Sequence, residues 1–164
     1  MSLTERDVLD RLHARYSVRS QSGQRYVRAE KVRSCAGFDA PRTADFMAMD
    51  LWLSKGLALH GHEVKVSRSD WLTELKQPEK AGEFIPFMDY WWLVVSDPAI
   101  VKDGELPDGW GLMVVAGSRL RVKHWAPRLT PLELPRKMIA PLLRATANTA
   151  ERITAREMAT EDAA

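Results

Sequence analysis

The 164-residue chain has one cysteine, no long apolar run and no large excess of either charge. The lone Cys35 excludes an internal disulfide and is typical of a reducing cytoplasm, where we expect the protein to act. No stretch approaches the roughly 18–20 apolar residues that a membrane span requires, and the charged start lacks the apolar segment of a secretory signal. We therefore expect no membrane partner.

Signature motifs of several enzyme classes are also absent. The sequence contains no Gly-rich phosphate-binding loop, no zinc cluster and no Ser/His/Asp order of a nucleophilic triad. His60 and His62 form an HGH tripeptide, but two histidines are too few for a zinc site. We expect both histidines to be packed or partly exposed rather than metal ligands.

The length and the 45% hydrophobic content allow one domain over residues 1–164, with a core at about 4–127 and a C-terminal helix at about 135–158. The net charge is only +2, but it is unevenly spread. Residues 1–43 hold nine Lys/Arg against five Asp/Glu, and residues 118–144 hold seven against one. Two basic surfaces around a more acidic middle would suit a polyanion, and ordinary solvated faces explain the same charges.

Apolar periodicity and turn residues predict the order of helices and strands. Thr4 and Asp7 are spaced as a capping box that opens a helix ending near Tyr16, and a polar loop follows at 17–24. The other predicted elements are strands at 25–32, 44–53 and 57–67, a helix from Ser67, a strand at 90–96, a hairpin around 117–118 and the C-terminal helix. This order predicts an α/β sandwich built on a mixed central sheet.

The third predicted strand places an acid and a lysine on one face. Side chains alternate across a strand, so Glu63 and Lys65 point the same way, roughly 7 Å apart at about 3.3–3.4 Å per residue. His60 and His62 fall on the opposite face.

The predicted hairpin decides which acid of the second strand joins this pair. If its turn centres near residues 54–55, paired residue numbers sum to about 109, and Asp45 lies beside Val64, between Glu63 and Lys65. Asp50 would be more than about 10 Å away along the strand. Asp45 is therefore the expected partner.

Two carboxylates and an ammonium group on adjacent strands suit phosphodiester hydrolysis. Asp45, Glu63 and the Val64 backbone carbonyl offer the oxygen ligands that Mg²⁺ or Mn²⁺ takes, and such an ion activates water. Lys65 could orient that water or stabilise the transition state. An ordinary Glu–Lys pair beside a strand acid, worth about 0–1 kcal/mol, explains the same residues.

Residues 42–49 (RTADFMAM) and 62–71 (HEVKVSRSDW) resemble the MmcB-like DNA-repair proteins of the PD-(D/E)XK nuclease superfamily, especially the form often encoded by phages of actinobacteria. The resemblance spans roughly residues 25–127. It continues through 67–76 (SRSDWLTELK), 89–92 (DYWW) and 106–112 (LPDGWGL).

This resemblance implies a restriction-endonuclease-like αβββαβ core, with the C-terminal hairpin and helix added to it. In the superfamily, a strand Asp and an E-x-K on the next strand bind Mg²⁺ and cleave DNA, and that pattern falls on Asp45, Glu63 and Lys65. The resemblance implies action in a bacterial or phage-infected cell. Many relatives dimerise, so a homodimer is a candidate assembly.

The superfamily often adds a glutamate from the first helix. Glu5 precedes the apolar stripe of the predicted helix and is the first candidate for this third acid, although an acid is also favoured there by the helix dipole. Glu30, in the first predicted strand, is the competing candidate.

Residues around the predicted helix at 67 could support the site. Ser67 and Asp70 are spaced to cap the helix, and Ser67 could also contact phosphate. Arg68, Lys76 and Lys80 could neutralise DNA phosphates.

The predicted function is a Mg²⁺-dependent DNA nuclease in repair, recombination or phage genome processing. One alternative is a catalytically weak or inactive protein that binds DNA structures with the same fold. A purely structural or interaction protein, in which the acids do not converge, is another.

Overall fold

A computed structural model describes residues 2–36 and 42–163 of the protein. The three α-helices are α1 (Glu5–Arg15), α2 (Arg68–Leu75) and α3 (Arg136–Asp162). The strands are β1 (Arg19–Ser20), β2 (Gly23–Gln24), β3 (Tyr26–Arg33), β4 (Thr43–Asp50), β5 (Leu59–Lys65), β6 (Tyr90–Val95), β7 (Trp110–Ala116) and β8 (Arg119–His124). Short 3-10 turns lie at Leu53–Lys55, Pro78–Glu83, Ile85–Phe87 and Pro98–Ile100.

The central sheet has six strands in the order β3-β4-β5-β6-β7-β8. The β3–β4, β4–β5 and β7–β8 pairs are antiparallel, whereas β5–β6 and β6–β7 are parallel. The predicted α/β architecture with a mixed sheet is therefore confirmed. The predicted polar loop at 17–24 was wrong, because Gly23 (φ +108°) lets β1 and β2 close a small hairpin.

Helix α1 covers one face of the sheet. Its capping box is confirmed: the Thr4 hydroxyl accepts from the Asp7 N–H, and the Asp7 carboxylate accepts from the Thr4 N–H at 2.7 Å. The buried stripe of the helix packs against Phe46 and Trp92; it consists of Val8, Leu9 and Leu12. Burial of this stripe fixes α1 beside the sheet.

The histidines of β5 lie on the face opposite Glu63, as predicted, and the structure shows that α1 covers this face. His62 is fully buried, and its Nε2 lies 2.9 Å from the Tyr16 hydroxyl. Burial lowers the pKa of His60 to about 4 and holds the pKa of His62 well below its ordinary value. Both rings are therefore neutral packing groups near pH 7.

The opposite face of the sheet packs against α2 and α3. Trp71 of α2 and Met138 of α3 join Met47, Trp91 and Leu93 in this core. Side chains at Glu63 and Lys65 project to this second face, at the edge of the apolar core, since alternation along β5 separates them from His62.

Helix α3 closes the outer edge of β3. The Glu30 N–H donates to the Thr149 hydroxyl at 2.9 Å, so the helix satisfies a backbone donor that an edge strand would otherwise expose. In residues 2–36 and 42–163, no helix is both long and apolar enough to cross a membrane.

Gly61 of β5 makes room for a buried tryptophan. A Cβ at this position would lie 2.3 Å from Cζ3 of Trp91, which is fully buried. The absence of a side chain at Gly61 is therefore part of the core packing beneath Glu63.

We predict that Gly61→Ala lowers the free energy of unfolding by about 1–3 kcal/mol, because the ring of Trp91 must move to admit the methyl group. Urea unfolding of the purified variant measures the change. Gly82→Ala is the matched control, since a Cβ there meets nothing within 4 Å and should change stability by less than about 0.5 kcal/mol. Equal stabilities of the two variants would contradict the packing argument.

Candidate active site

Asp45 and Glu63 meet where β4 begins and β5 ends. The pairing between these strands runs to Phe46 and His62, so Asp45 is next to Glu63 in register. The predicted register was wrong by one residue: paired numbers sum to 108, because the 3-10 turn at Leu53–Lys55 centres the connection on residue 54. Asp45 still reaches the predicted neighbour, since its Oδ2 accepts from the Val64 N–H at 2.8 Å.

Asp50 lies at the other end of β4, as predicted. Its carboxylate binds Arg25 at 2.6 Å and accepts from the Trp52 N–H at 3.0 Å. These contacts anchor the start of the hairpin turn. Asp50 is therefore a structural acid.

Lys65 lies between two carboxylates. Its Nζ is 2.6 Å from Oε1 of Glu63 and 3.1 Å from Oε2 of Glu74, and all three side chains are at most 15% exposed. Burial lowers the pKa of Lys65, but Glu63 and Glu74 outweigh it and the net pKa is raised. The lysine is therefore a firmly held ammonium group.

Burial and the neighbouring Asp45 raise the pKa of Glu63 to about 7, although Lys65 opposes the rise. Burial and a neighbouring like charge both disfavour the ionised carboxylate, whereas a cation beside it would favour that form. A cation bound beside Glu63 would therefore lower its pKa again.

Glu74 was missed by the sequence analysis. It lies on α2 and is buried, three residues after the buried Trp71, so the two share the core-facing side of the helix. An acid on the buried face of a short helix was the signal that could have identified it.

A second lysine, Lys31 of β3, binds the other strand acid. Its Nζ is 2.7 Å from Oδ1 of Asp45 and also contacts the Glu5 carboxylate. Sequence reasoning missed this residue too, because only the β3–β4 register places Lys31 beside Asp45. Glu5, the first candidate for a third acid, thus connects to Asp45 through Lys31.

Lys31 has a left-handed backbone, with φ +53°. For a residue with a side chain this conformation costs about 1–2 kcal/mol relative to the right-handed form. The pairs Glu30–Phe46 and Val32–Ala44 hold the strand on both sides of it.

Glu30, the competing third acid, belongs to a different cluster. Its carboxylate binds Arg6 and His13 at 2.6 Å each and Arg152 at 3.3 Å. Burial raises the pKa of Glu30, but the bonds from His13 and Arg6 outweigh it and hold the pKa well below its ordinary value. Glu30 therefore joins β3 to α1 and α3, whereas Glu5 is the acid linked to Asp45.

The predicted residues of α2 take different positions. Ser67 is the N-cap, and its hydroxyl accepts from the Asp70 N–H at 3.2 Å. Arg68 is occupied by a two-pronged bond to Glu105 and donates to the Ile100 carbonyl at 2.8 Å.

Of the other two predicted DNA contacts, Lys76 is exposed and Lys80 lines a cleft of about 210 Å³. Residues that line this cleft include Arg42, Glu63, Lys65, Glu74 and Phe84. The cleft therefore connects the candidate site with a basic side chain that can reach solvent.

The oxygen groups at the strand ends fit a hard divalent cation. Asp45 and Glu63 supply carboxylates, and the Val64 carbonyl lies on the same edge of β5 as its N–H, which faces Asp45. With Glu63 ionised, four carboxylates and two ammonium groups around them leave two negative charges in excess: Glu5, Asp45, Glu63, Glu74, Lys31 and Lys65. Across residues 2–36 and 42–163 there is no group of three or more His, Cys, Asp or Glu side chains that could hold a metal by themselves. Backbone and water ligands would have to complete such a site.

Comparison with known proteins gives a fold and no function. No family model and no curated protein matches the chain. Among solved structures, the SPO1766 protein of unknown function from Silicibacter pomeroyi is similar, with a TM-score of 0.55 and 22% identity over 96% of this chain and 88% of that one. At this identity, the similarity shows a shared α/β fold alone.

The raised pKa of Glu63 predicts how stability depends on pH. Its carboxyl has a pKa of about 7 when folded against an ordinary 4.5, so the folded state binds more protons between these values. Its contribution to the free energy of unfolding is largest below about pH 4.5 and falls by up to about 3 kcal/mol as the pH rises through 7. Urea unfolding from pH 4.5 to 8 should show this fall in the wild type and not in Glu63→Gln.

The matched control is Glu133→Gln, which removes an exposed carboxylate between β8 and α3. This variant should keep the wild-type dependence on pH. Parallel stability curves for the wild type and Glu63→Gln would show that Glu63 does not titrate in this window.

Proposed function

We propose that the protein is a divalent-metal-dependent DNA nuclease of the PD-(D/E)XK type, related to the MmcB-like DNA-repair proteins. The observation that carries the proposal is the meeting of Asp45, Glu63 and Lys65 at one end of the β4–β5 pair. The order α1, β3, β4, β5, α2, β6 supports a restriction-endonuclease-like αβββαβ core. A role in DNA repair, recombination or phage genome processing follows from the same resemblance.

Asp45, Glu63 and the Val64 carbonyl are the residues that would hold Mg²⁺ or Mn²⁺. The ion, when bound, would supply the Lewis acidity for phosphodiester hydrolysis. The protein's own contribution is to bring these oxygens together at adjacent strand ends, so a cation would have to displace only the lysine contacts of Asp45 and Glu63.

Lys65 would act on the attacking water or on a phosphate oxygen. Its ammonium group can donate several hydrogen bonds, of which the contacts with Glu63 and Glu74 use two. Its second contact, with Glu74, would keep Lys65 in place if Glu63 held a cation instead. Glu74 is therefore a positioning residue, and Lys76 and Lys80 would neutralise phosphates outside the site.

A second candidate function is binding of DNA structures without turnover. One observation favours it: each strand acid is already paired with a lysine, so neither carboxylate is free for a cation. This candidate predicts salt-sensitive binding to branched or single-stranded DNA and no cleavage.

We predict Mg²⁺- or Mn²⁺-dependent cleavage of at least one DNA in a panel of single-stranded, duplex, flap and four-way substrates. Asp45→Asn and Lys65→Ala should each lower the cleavage rate by about 10²–10³-fold or more, since the first removes a ligand that would hold the cation and the second removes an ammonium group that would stabilise developing charge. Gel analysis of end-labelled DNA over time measures the rate.

The matched controls are Asp108→Asn and Lys55→Ala, which make the same changes at exposed turn positions. Both should cleave at the wild-type rate. Undiminished cleavage by Asp45→Asn and Lys65→Ala would contradict the proposed mechanism. Metal-independent DNA binding without any cleavage would favour the second candidate function.

A further inference from the structure

Lys31 occupies the side of Asp45 that faces β3. The lysine Nζ lies 2.7 Å from Oδ1 of Asp45, whereas Oδ2 accepts from the Val64 N–H. Both carboxylate oxygens are therefore engaged. The Lys31 side chain is 44% exposed, so it can leave Asp45 without unpacking the core.

The position of Lys31 is built into the strand. Among non-glycine residues in the described ranges, only Lys31 and Leu57 have a positive φ, and β3 pairs with β4 on both sides of Lys31. A strained residue that its surroundings hold in place at a candidate site is a pointer to function.

Lys31 also has a second partner. Its ammonium group contacts the exposed carboxylate of Glu5 at the start of α1. Because the two contacts share one ammonium group, Lys31 can give up Asp45 and remain paired with Glu5.

We propose that Lys31 is a built-in competitor for divalent cations at Asp45, and that Glu5 holds the lysine when a cation takes its place. An ammonium group and a divalent ion cannot share one carboxylate oxygen without strong repulsion, so cation entry requires Lys31 to leave. Lys31 thereby sets the cation affinity of the site. This inference rests on the proposed metal-dependent function, and it assigns Glu5 as the partner of Lys31 rather than a metal ligand.

Calorimetric titration with Mn²⁺ and with Mg²⁺, in about 0.15 M salt and without DNA, tests the competition. Lys31→Met and Lys31→Gly should bind the ion about 2- to 5-fold more tightly than the wild type, the size expected for loss of one half-exposed ion pair. Glycine accepts the positive φ, so the second variant keeps the strand intact. The increase in melting temperature on adding the ion should be larger in both variants.

Three controls locate the effect. Arg33→Met removes a charge from the same strand and should leave the cation affinity within about twofold of the wild type. Lys31→Arg keeps the charge at position 31 and should therefore keep the wild-type cation affinity. Asp45→Asn should abolish cation binding both in the wild-type background and in the Lys31→Met background.

A double-mutant cycle tests the role of Glu5. Glu5→Gln should weaken cation binding in the wild type, because Lys31 loses its alternative partner, and should have no further effect in Lys31→Met. Weakening of equal size in both backgrounds would make Glu5 a ligand and overturn its assignment here.

The two proposals fail in different ways. Equal affinity of the wild type and both Lys31 variants would overturn the competition and leave the metal-dependent function standing. No binding by any of these proteins would overturn the metal-dependent function, and the competition with it.

Discussion

The hydrogen bond from the Val64 N–H to the Asp45 carboxylate holds the candidate site together. Backbone pairing between β4 and β5 ends at Phe46 and His62. Beyond this pair, the backbone N–H of Val64 donates to the side chain of Asp45 instead of to a backbone carbonyl of β4. This hydrogen bond holds the Asp45 carboxylate in the space between the strand ends. It therefore brings Asp45 beside Glu63 and orients the Val64 carbonyl toward the same space.

The charges around this bond explain why the two halves of the site differ. On the α2 side, Lys65 is largely enclosed between Glu63 and Glu74 and cannot leave without exposing uncompensated carboxylates. On the α1 side, Lys31 is half exposed and bridges Asp45 to the surface. One lysine is therefore fixed and the other exchangeable. When Glu63 is ionised, the excess of two negative charges matches the charge of one divalent ion.

Much of this arrangement could be predicted from local rules. Alternation along a strand put Glu63 and Lys65 together and His62 on the opposite face, and hairpin pairing selected Asp45 over Asp50. A one-residue error in the turn did not change that choice, because Asp45 and Asp50 are about five residues apart. The order of helices and strands could also be predicted from the sequence, since hydrophobic periodicity and turn residues are local properties.

Other features of the site could be identified only from the tertiary structure: the roles of Glu74 and Lys31, and the finding that Glu5 and Glu30 belong to different clusters. Glu74 reaches Lys65 only because α2 docks across the end of β5, and that docking depends on packing around Trp71. Lys31 reaches Asp45 only through the β3–β4 register. The sequence by itself determined the three helices, the six strands of the central sheet and the Glu63–Lys65 pair, because periodicity is local. Only the tertiary structure decided which charges surround that pair, because contacts between distant segments depend on how whole elements pack.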